Sequence, residues 1–473
     1  MTDVIIIGAG PAGLTLGAEL ASRGITCRIY EKRLKRAISS RAIGLLSYTL
    51  ELLDTRNLAE LMIAHGLIID KVPLGNKNFL SLNKLRAYTK FPFMLSLPQN
   101  KTETLLESWA LESGVEIVKG ATLHALQQYD DNVCITLSNN EKTWEDYAKY
   151  VIGCDGINST VRSLLGISCI EVNYNKHLMH GDVKLSKFPT NSVFAKISRK
   201  GMVAAFPLPD NYYRVLVLDQ DKINDITEKE LTLEDFSESA EKLAEMNLGI
   251  YEPLWLSRFN TRQKHASKYR DKRVFLVGDA AHVHMPAGGQ GLQSAIEDAF
   301  NLGWKLSSTL NSGFSNTILD SYEYERRQIA SNAMHKSKFL FKYEISNSFF
   351  SYILRKFISK LAKLPFLEKH IVRSLSGLGN YYKSLSKTKN LYIGKSVLNY
   401  QILNQSGVQQ EIRVILRNKK SIFLSSTGVY SPILNEEIHY GSDIEYMHGY
   451  FHEDRRIRTM IIRPDGIVAW ASF

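Results

Sequence analysis

Short β-branched runs ended by glycine or by charged residues open the chain. Residues 4–7 (Val-Ile-Ile-Ile) have the pattern of a buried strand, because strands covered on both faces show no alternation. A helical pattern over about 11–23 follows, and residues 27–30 indicate a second strand. This strand–helix–strand opening predicts a parallel, doubly wound sheet.

Helix and strand patterns continue up to about residue 152, and two changes of pattern follow. Alternation over 192–198, 202–206 and 213–218 is typical of antiparallel strands with one solvated face. A buried-strand pattern returns at 274–277. The remaining predictions are helices over 49–64, 102–113, 291–306 and 315 to about 385, strands over 115–118, 133–137 and 150–152, and a hairpin of 460–462 with 467–470 around Pro-Asp-Gly.

These patterns predict an α/β protein built from four parts. A Rossmann-like nucleotide-binding domain would comprise residues 1–170 and 270–330. A mostly antiparallel β domain (171–269) would be inserted in it. A helical segment (331–389) and a short C-terminal domain (390–473) would follow.

Composition places the chain among ordinary soluble globular proteins. It has 473 residues, 44% hydrophobic and 23% charged, which excludes fibrous, low-complexity and disordered classes. It contains no apolar stretch of about 18 residues and no signal-peptide pattern. Its four scattered cysteines form no CxxC pair, so we expect a cytoplasmic protein with no metal.

The net charge of +11 is concentrated in one region. Residues 331–390 hold 12 Lys and Arg against two acids. Residues 349–370 also carry apolar residues at helical spacing: Ile353, Leu354, Phe357, Ile358 and Leu361. Such a helix could lie on an anionic membrane, but a helix packed on the core with a solvated basic face is the interpretation we favour. We expect no nucleic-acid partner, because no binding motif accompanies the charge.

The first chemical motif is a glycine-rich turn between the first strand and helix. Gly8 permits the tight turn, Gly10 lets the backbone approach a pyrophosphate, and Gly13 lets the helix pack on the strand. The phosphate charge would then lie at a helix N-terminus. An acid, Glu31, ends the second strand and is placed to bind a ribose hydroxyl.

Two further motifs follow predicted strands. Gly278-Asp279 comes directly after strand 274–277 and leads into a glycine-rich turn before a helix, so Asp279 would lie where ligands bind in open α/β sheets. Asp279, His282 and His284 could also be metal ligands, but a metal site would leave the glycines and Pro286 unexplained. In the third motif, Asp155-Gly156 forms a turn before a helix capped by Asn158 or Ser159.

In this order and at these separations the three motifs resemble those of the class A flavoprotein aromatic hydroxylases, the p-hydroxybenzoate-hydroxylase-like FAD monooxygenases. The resemblance covers essentially the whole chain. It is closest to the phenol-hydroxylase branch, which includes polyketide hydroxylases and rifampicin monooxygenases. Supporting segments are residues 40–45, 50–54, 97–99, 320–327 and 463–470.

The resemblance implies a set of FAD contacts. The loop would bind the pyrophosphate, Glu31 the adenosine ribose with Lys32 beside the adenine, and Leu123 would lie where the family's backbone contacts adenine. Arg41 and Gln99 would contact the phosphate and ribityl region, and Asp279 the ribityl chain. The full implied set is Gly8, Gly10, Pro11, Ala12, Gly13, Glu31, Lys32, Arg41, Gln99, Leu123, Asp155, Gly156, Asp279, Pro286, Gly289, Gly291, Leu292 and Gln293.

The resemblance also implies the reaction. NAD(P)H, with NADPH favoured, would visit transiently and reduce FAD, since no second GxGxxG marks a separate domain. The reduced flavin would react with O2 and transfer one oxygen through its C4a-hydroperoxide to an aromatic substrate of polyketide or antibiotic type. Arg41 would assist flavin movement, and the turn from Pro286 to Gly288 would serve catalysis through the backbone N–H groups around it.

Three features remain open at the level of sequence. Gln293 and Thr104 stand where the family usually has Asn and Arg; because Gln293 can still offer an amide, that departure affects geometry more than binding. The C-terminal domain resembles the family's thioredoxin-like domain but is short and lacks cysteine. Phe206, Pro207 and Arg214 are candidate substrate residues, although each could equally be an ordinary sheet residue.

Alternative functions remain: an FAD enzyme of this fold with other chemistry, or a flavin-binding protein that acts through its basic helices. The chain could be a monomer or a homodimer.

Overall fold

The computed structural model describes residues 1–37, 39, 42–75, 78–189, 191–223, 230–285, 288–312, 316–346, 348–383, 391–428 and 444–473. Its helices are α1 (Pro11–Ala21), α2 (Ser47–Asp54), α3 (Ala59–Ala64), α4 (Gln99–Glu112), α5 (Thr160–Leu164), α6 (Leu233–Ala244), α7 (Gln290–Ser312), α8 (Thr317–Ile345), α9 (Phe349–Leu361), α10 (Pro365–Leu375) and α11 (Ile412–Ile415).

The strands in chain order are β1 (Thr2–Ile7), β2 (Cys27–Glu31), β3 (Gly44–Leu45), β4 (Leu67–Ile69), β5 (Lys71–Gly75), β6 (Asn78–Ser81), β7 (Met94–Ser96), β8 (Glu116–Lys119), β9 (Thr122–Gln128), β10 (Val133–Ser138), β11 (Thr143–Gly153), β12 (Cys169–Leu185), β13 (Phe194–Ile197), β14 (Gly201–Pro207), β15 (Tyr213–Asp219), β16 (Ile250–Ala266), β17 (Arg270–Asp271), β18 (Val274–Leu276), β19 (His282–Val283), β20 (Gln401–Asn404), β21 (Gln409–Glu411), β22 (Ser421–Ser425), β23 (Ile444–Phe451), β24 (Thr459–Ile462) and β25 (Val468–Ser472).

The parallel sheet predicted from the opening residues is confirmed. Its order is β17-β18-β11-β1-β2-β8, in which the five strands from β18 to β8 are parallel and the edge strand β17 is antiparallel. Val4, Ile5 and Ile6 are fully buried because the sheet is covered on both faces. Helices α1 and α7 pack against each other beside this sheet, which brings both of their N-termini to one edge.

The alternating region forms a second sheet of order β13-β14-β15-β12-β16-β19. All of its neighbouring strands are antiparallel, as predicted. Helix α6 covers one face through Phe236 and Leu243. Strand β19 lies within the range predicted for the nucleotide-binding domain, yet it pairs with β16 of this second sheet.

The tail forms a third sheet of order β21-β20-β23-β22-β24-β25, and its predicted hairpin is confirmed by the antiparallel pair β24–β25. Buried ion pairs attach this sheet to α8: Arg463 contacts Glu325 at 2.6 and 3.0 Å. Asp465 accepts a hydrogen bond from the Trp304 indole at 3.2 Å. Residues 320–327 and 463–470, singled out in the sequence, therefore meet at this junction.

Three helix predictions were wrong in detail. The helix expected over 49–64 is two helices, since Asn57 adopts a left-handed φ of 61° between them. The helical region expected to reach about 385 ends at Leu375, where Gly377 has a φ of 81°. The apolar stripe of residues 349–370 was expected to pack on the core. Four of its five members, however, are exposed: Ile353, Leu354, Phe357 and Leu361.

Candidate functional site: a cofactor cradle at the carboxyl edge of the parallel sheet

Backbone hydrogen bonds fasten the ends of four parallel strands into one edge. Gly8 donates to the Tyr30 carbonyl at 2.7 Å, Cys154 to that of Ile7 at 2.8 Å, and Val277 to that of Gly153 at 2.9 Å. The glycine loop, the Asp155 turn and the Gly278–Asp279 turn therefore lie side by side, at the position where open α/β sheets bind ligands.

The glycine loop is shaped by close approaches that only glycine allows. A Cβ on Gly8 would lie 2.4 Å from the Cys154 carbonyl oxygen, and one on Gly13 would lie 2.0 Å from that of Gly8. Gly8 also has a φ of 108°. A Cβ on Gly10 would meet no atom within 4 Å, so this residue faces open space where a pyrophosphate can approach.

Helix α1 presents uncapped amide groups to that space. Its N-cap, Gly10, has no side chain to satisfy them, Pro11 opens the helix, Ala12 follows, and no acid occupies the first turn. Free N–H groups together with the helix dipole favour an anion at this point. The donor set and the open cradle fit the pyrophosphate of FAD.

The residues expected around adenosine lie together. Ala121 donates to the Glu31 carbonyl at 3.1 Å, which brings the start of β9, with buried Leu123, beside the end of β2. The Glu31 carboxylate accepts hydrogen bonds from the Ala9 amide and from Arg33, both at 2.9 Å. It therefore already braces the glycine loop, and Lys32 is exposed beside it.

The Asp155 turn contains a buried carboxylate oxygen for which the described residues provide no hydrogen-bond partner. Asp155 Oδ2 accepts from the Val161 amide at 3.0 Å, while Oδ1 has no hydrogen-bond partner among the described residues. Burial raises the pKa of Asp155. Gly156 has a φ of 81° with open space around it, and Ser159 caps α5 by accepting from the Arg162 amide. Such an orphaned oxygen is a place where a ligand donor or a water is expected.

The Gly278–Asp279 turn is held between helices α1 and α7. A Cβ on Gly278 would lie 3.2 Å from those of Ala12 and Ala295. Its amide donates to Asp298 Oδ2 at 3.0 Å, a fully buried carboxylate that also contacts Arg326. Asp279 is half-buried beside this brace.

Two histidines extend the hydrogen-bond network of the Asp298 carboxylate. His282 Nε2 lies 2.7 Å from Asp298 Oδ2, and His284 Nε2 lies 2.9 Å from His282 Nδ1. Burial lowers the pKa of His284, so its ring is neutral. If His282 donates to Asp298, His284 donates to His282, and His284 Nδ1 is left as a buried acceptor with no partner among the described residues. No group of three metal-ligating side chains that could hold an ion occurs in the described part of the chain.

Two left-handed glycines precede α7. Gly288 and Gly289 have φ values of 80° and 62°, and a Cβ on Gly289 or Gly291 would meet no atom of the described residues within 4 Å. Leu292 is buried. The amide of Gln293 pairs with the backbone of the β3 segment: Nε2 donates to the Gly44 carbonyl at 2.8 Å, and Oε1 accepts from the Leu46 amide at 3.2 Å. Glutamine therefore supplies a rigid amide bridge at this position.

Gln99 lies at the start of α4, where Oε1 accepts from the Ala42 amide at 3.2 Å and Nε2 donates to Glu103 at 2.9 Å. It thus fixes the segment that follows residue 41. Arg41 and Pro286, predicted as catalytic and cofactor-binding residues, lie outside the described residues.

Two of the three candidate substrate residues, Phe206 and Arg214, belong to one cross-strand row of the second sheet, whereas Pro207 pairs with Tyr213 in the next row. Ladder pairing aligns Phe206 with Arg214, Arg214 with Asp182, and Asp182 with Trp255. Arg214 is fully buried and forms a two-point ion pair with Asp182, at 2.5 and 3.0 Å. Its guanidinium also lies 4.8 Å from the centre of the Trp255 ring. Arg214 therefore organises the sheet face rather than presenting a free charge.

This row borders the nucleotide-binding part. Arg214 reaches the Ala42 carbonyl at 3.5 Å, and Ser96 Oγ donates to the Pro207 carbonyl at 2.6 Å. Sequence reasoning missed His180, whose ring meets Trp255 edge-on at 4.8 Å, and Asp182. The signal for these two residues was their spacing of two, which places both polar side chains on one face of β12.

The other end of the same sheet face is apolar. Leu178, Met202 and Leu218 pack with Met285 and with Phe341 of α8. This cluster and the Arg214 row lie on the same face of the sheet, which is opposite to the face that α6 covers. A separate cleft between β17 and α8 is lined by charged residues such as Arg270, Asp320 and Arg327, and it does not suit an apolar ring system.

Comparison with known proteins agrees with this arrangement. Residues 1–337 match the family model described as an FAD binding domain. The chain is 30% identical to the anhydrotetracycline monooxygenase of Streptomyces rimosus over 99% of its length and 95% of the relative's. It is also 30% identical to the rifampicin monooxygenase of Streptomyces venezuelae, over 100% and 96% of the two chains.

Structural comparison adds the OxyS anhydrotetracycline hydroxylase of Streptomyces rimosus. It superposes with a TM-score of 0.84 over 100% of this chain and 95% of its own, at 28% identity. The dialkyldecalin synthase of Streptomyces rugosporus is 26% identical over 99% and 96% of the two chains. The relatives of this chain therefore include a protein that is named as a synthase and not as an oxygenase.

Proposed function

We propose, for a chain that belongs to the FAD-binding family of aromatic monooxygenases, that it hydroxylates a polycyclic aromatic substrate of polyketide or antibiotic type with NADPH and O2. The observation that carries this is the meeting of the FAD cradle with the row of Phe206, Arg214 and Trp255, on a chain that matches its monooxygenase relatives over nearly their full length. When bound, FAD takes a hydride from the nicotinamide and activates O2 for transfer of one oxygen atom.

The residues of the cradle have separate tasks in this proposal. The amides of α1 hold the pyrophosphate, Glu31 and the segment at Leu123 receive adenosine, and Asp155 and Asp279 receive hydroxyl donors through their carboxylates. Residues Gly288 to Gln293 provide backbone donors along the ring, because left-handed glycines leave these amides open. Arg41 and Pro286 are assigned to the cofactor by resemblance alone.

The second sheet provides the substrate wall. Trp255 and Phe206 offer aromatic surface, and His180 offers a polar edge beside them. The Asp182–Arg214 pair fixes the tryptophan, whose indole donates to Asp182 at 2.9 Å. Such a mostly apolar wall with a few fixed polar groups is what an aromatic ring system requires, and its packing against Met285 and α8 excludes water from one end.

The test is NADPH oxidation by the purified flavoprotein in air, against a panel of phenols and aromatic polyketides with product masses recorded. We expect ligand-stimulated oxidation and a product heavier by one oxygen atom. The variant Trp255→Leu should retain FAD and basal oxidation but lose most of the stimulation. Trp470→Leu, the same change on β25 of the third sheet, should behave as the parent.

Each other outcome points to a different conclusion. Stimulated oxidation that yields only hydrogen peroxide would identify a substrate mimic. Conversion of a ligand without change of mass and without O2 would refute the oxygenase proposal and favour ring-forming chemistry on the same scaffold. Equal loss of stimulation in both tryptophan variants would refute the placement of the substrate wall.

A further inference from the structure

Helix α9 is oriented with its apolar side outward. Among the side chains that the structure describes in and next to this helix, Arg355, Ser359 and Ala362 face the protein and are 6, 8 and 2% exposed. Successive residues of an α-helix are about 100° apart, so these three share one face. Ile353, Phe357 and Leu361 lie on the opposite face and are 50, 59 and 37% exposed. A helix packed on the core shows the reverse pattern.

The exposed apolar surface continues into α10. Leu364, Phe366 and Leu367 are 51, 79 and 36% exposed. Together with Ile353, Leu354, Phe357 and Leu361 they form what we call the 353–367 face. Single exposed apolar residues are common on proteins, but seven large ones within fifteen residues form a continuous patch that requires an explanation.

Hydrogen bonds and packing fix the inward faces of α9 and α10, so neither helix can rotate about its axis to bury its apolar side. Arg355 donates to the carbonyl oxygens of Tyr343 and Ser346, at 3.0 and 2.6 Å. In α10, Glu368 accepts from the Ser81 amide at 2.8 Å, and Val372 is fully buried. Arg355 therefore holds α9, and Glu368 together with Val372 holds α10, to the body of the protein.

Charge decides between the possible occupants of this face. Residues 331–390 carry 12 Lys and Arg and two acids, and Lys360, Lys363 and Lys369 are exposed around the face. In a symmetric dimer the same patch meets itself, which would bring these like charges together. An anionic bilayer neutralises them while its acyl region receives the apolar side chains.

We infer that the 353–367 face docks on an anionic membrane surface, with α9 lying in the interface plane. At 13 residues α9 is about 20 Å long, shorter than a bilayer core. No helix within the described residues is long and apolar enough to cross a membrane. The contact is therefore peripheral, and it depends jointly on inserted apolar side chains and on lysines near the headgroups.

The experiment is vesicle co-sedimentation of the full-length flavoprotein at low and high salt. Vesicles of phosphatidylcholine with phosphatidylglycerol should bind it, and pure phosphatidylcholine should bind at least about tenfold less. Phe357→Asp with Phe366→Asp should reduce binding about tenfold or more. Ile170→Asp with Leu111→Asp, two apolar positions elsewhere that are 67 and 53% exposed, should leave vesicle binding unchanged.

A second pair of variants separates local from overall charge. Lys360→Glu with Lys363→Glu should weaken anionic binding, while Lys101→Glu with Lys268→Glu, the same change in net charge on other surfaces, should not. NADPH oxidation in solution should be the same in all variants, which shows that they are folded. The inference would be overturned if the protein did not bind anionic vesicles, or if the control pairs lost binding equally. It would also be overturned if light scattering showed a dimer that dissociates only in the phenylalanine variant.

Discussion

The Asp298 carboxylate provides the sharpest test of how the cofactor edge is held. It is fully buried, and all three of its partners are donors: the Gly278 amide at 3.0 Å, His282 at 2.7 Å and Arg326 at 2.5 Å. Asp298→Asn removes the charge and places an NH2 group against one of these donors. The substitution therefore removes an ion pair and creates a donor–donor contact at the same time.

The expected size of the effect follows from burial. Removing one partner of a buried ion pair costs about 3–5 kcal/mol. Glu297 remains 3.2 Å from Arg326, so we expect the lower end, about 3 kcal/mol. Since Gly278 precedes Asp279, weaker FAD retention should accompany the loss. Burial alone would raise the pKa of Asp298, but the hydrogen bonds and electrostatic attraction of His282 and Arg326 outweigh it and hold that pKa at about 2, below its ordinary 3.8. The difference between variant and parent should therefore shrink as the pH falls from about 4 toward 2.

Asp320→Asn is the matched control. Asp320 also pairs with an arginine, Arg270, at 2.6 Å, but its side chain is 70% exposed against 0% for Asp298. An exposed pair contributes about 1 kcal/mol or less. The assay is urea denaturation followed by flavin release and by circular dichroism. The reasoning would be refuted if the two variants unfolded at the same urea concentration, or if Asp298→Asn bound FAD with normal affinity.

Three further predictions concern other parts of the molecule. Gly13→Ala places a Cβ 2.0 Å from a carbonyl oxygen and should give colourless apoprotein on purification, whereas Gly291→Ala, which meets no atom within 4 Å, should fold normally by circular dichroism. Burial raises the pKa of Glu51 to about 8, so the free energy of unfolding of the parent should fall as the pH rises from about 4.5 to 8. Glu51→Gln should remove this pH dependence and should raise the free energy of unfolding at pH 8 by up to about 4 kcal/mol, measured by denaturant titration. Arg214→Lys loses the two-point pairing and should raise KM for an aromatic substrate about tenfold with unchanged flavin content, while an unchanged KM would contradict the assigned role.

The nucleotide-binding edge could be predicted because backbone geometry dictates its residues. Gly8 and Gly13 are required by contacts closer than any Cβ permits, and such requirements are visible in sequence as glycines at fixed spacing. The substrate wall could not be predicted in the same way. Phe206 and Arg214 were candidates, yet their partners Asp182 and Trp255 lie on other strands, and only the ladder register brings the four into one row. The register depends on the turns and on the buried face of the whole sheet.

Helix α9 shows a second limit of sequence reasoning. Its periodicity correctly indicated a helix with two faces, but periodicity does not state which face meets the protein. The usual assumption that the apolar side of a helix faces inward holds when the adjoining surface of the protein is itself apolar. Here the adjoining surface instead offers the carbonyl oxygens of Tyr343 and Ser346, which only a donor such as Arg355 can satisfy. The polar requirement of a neighbouring helix end thus sets the orientation of α9 and leaves its apolar side outward.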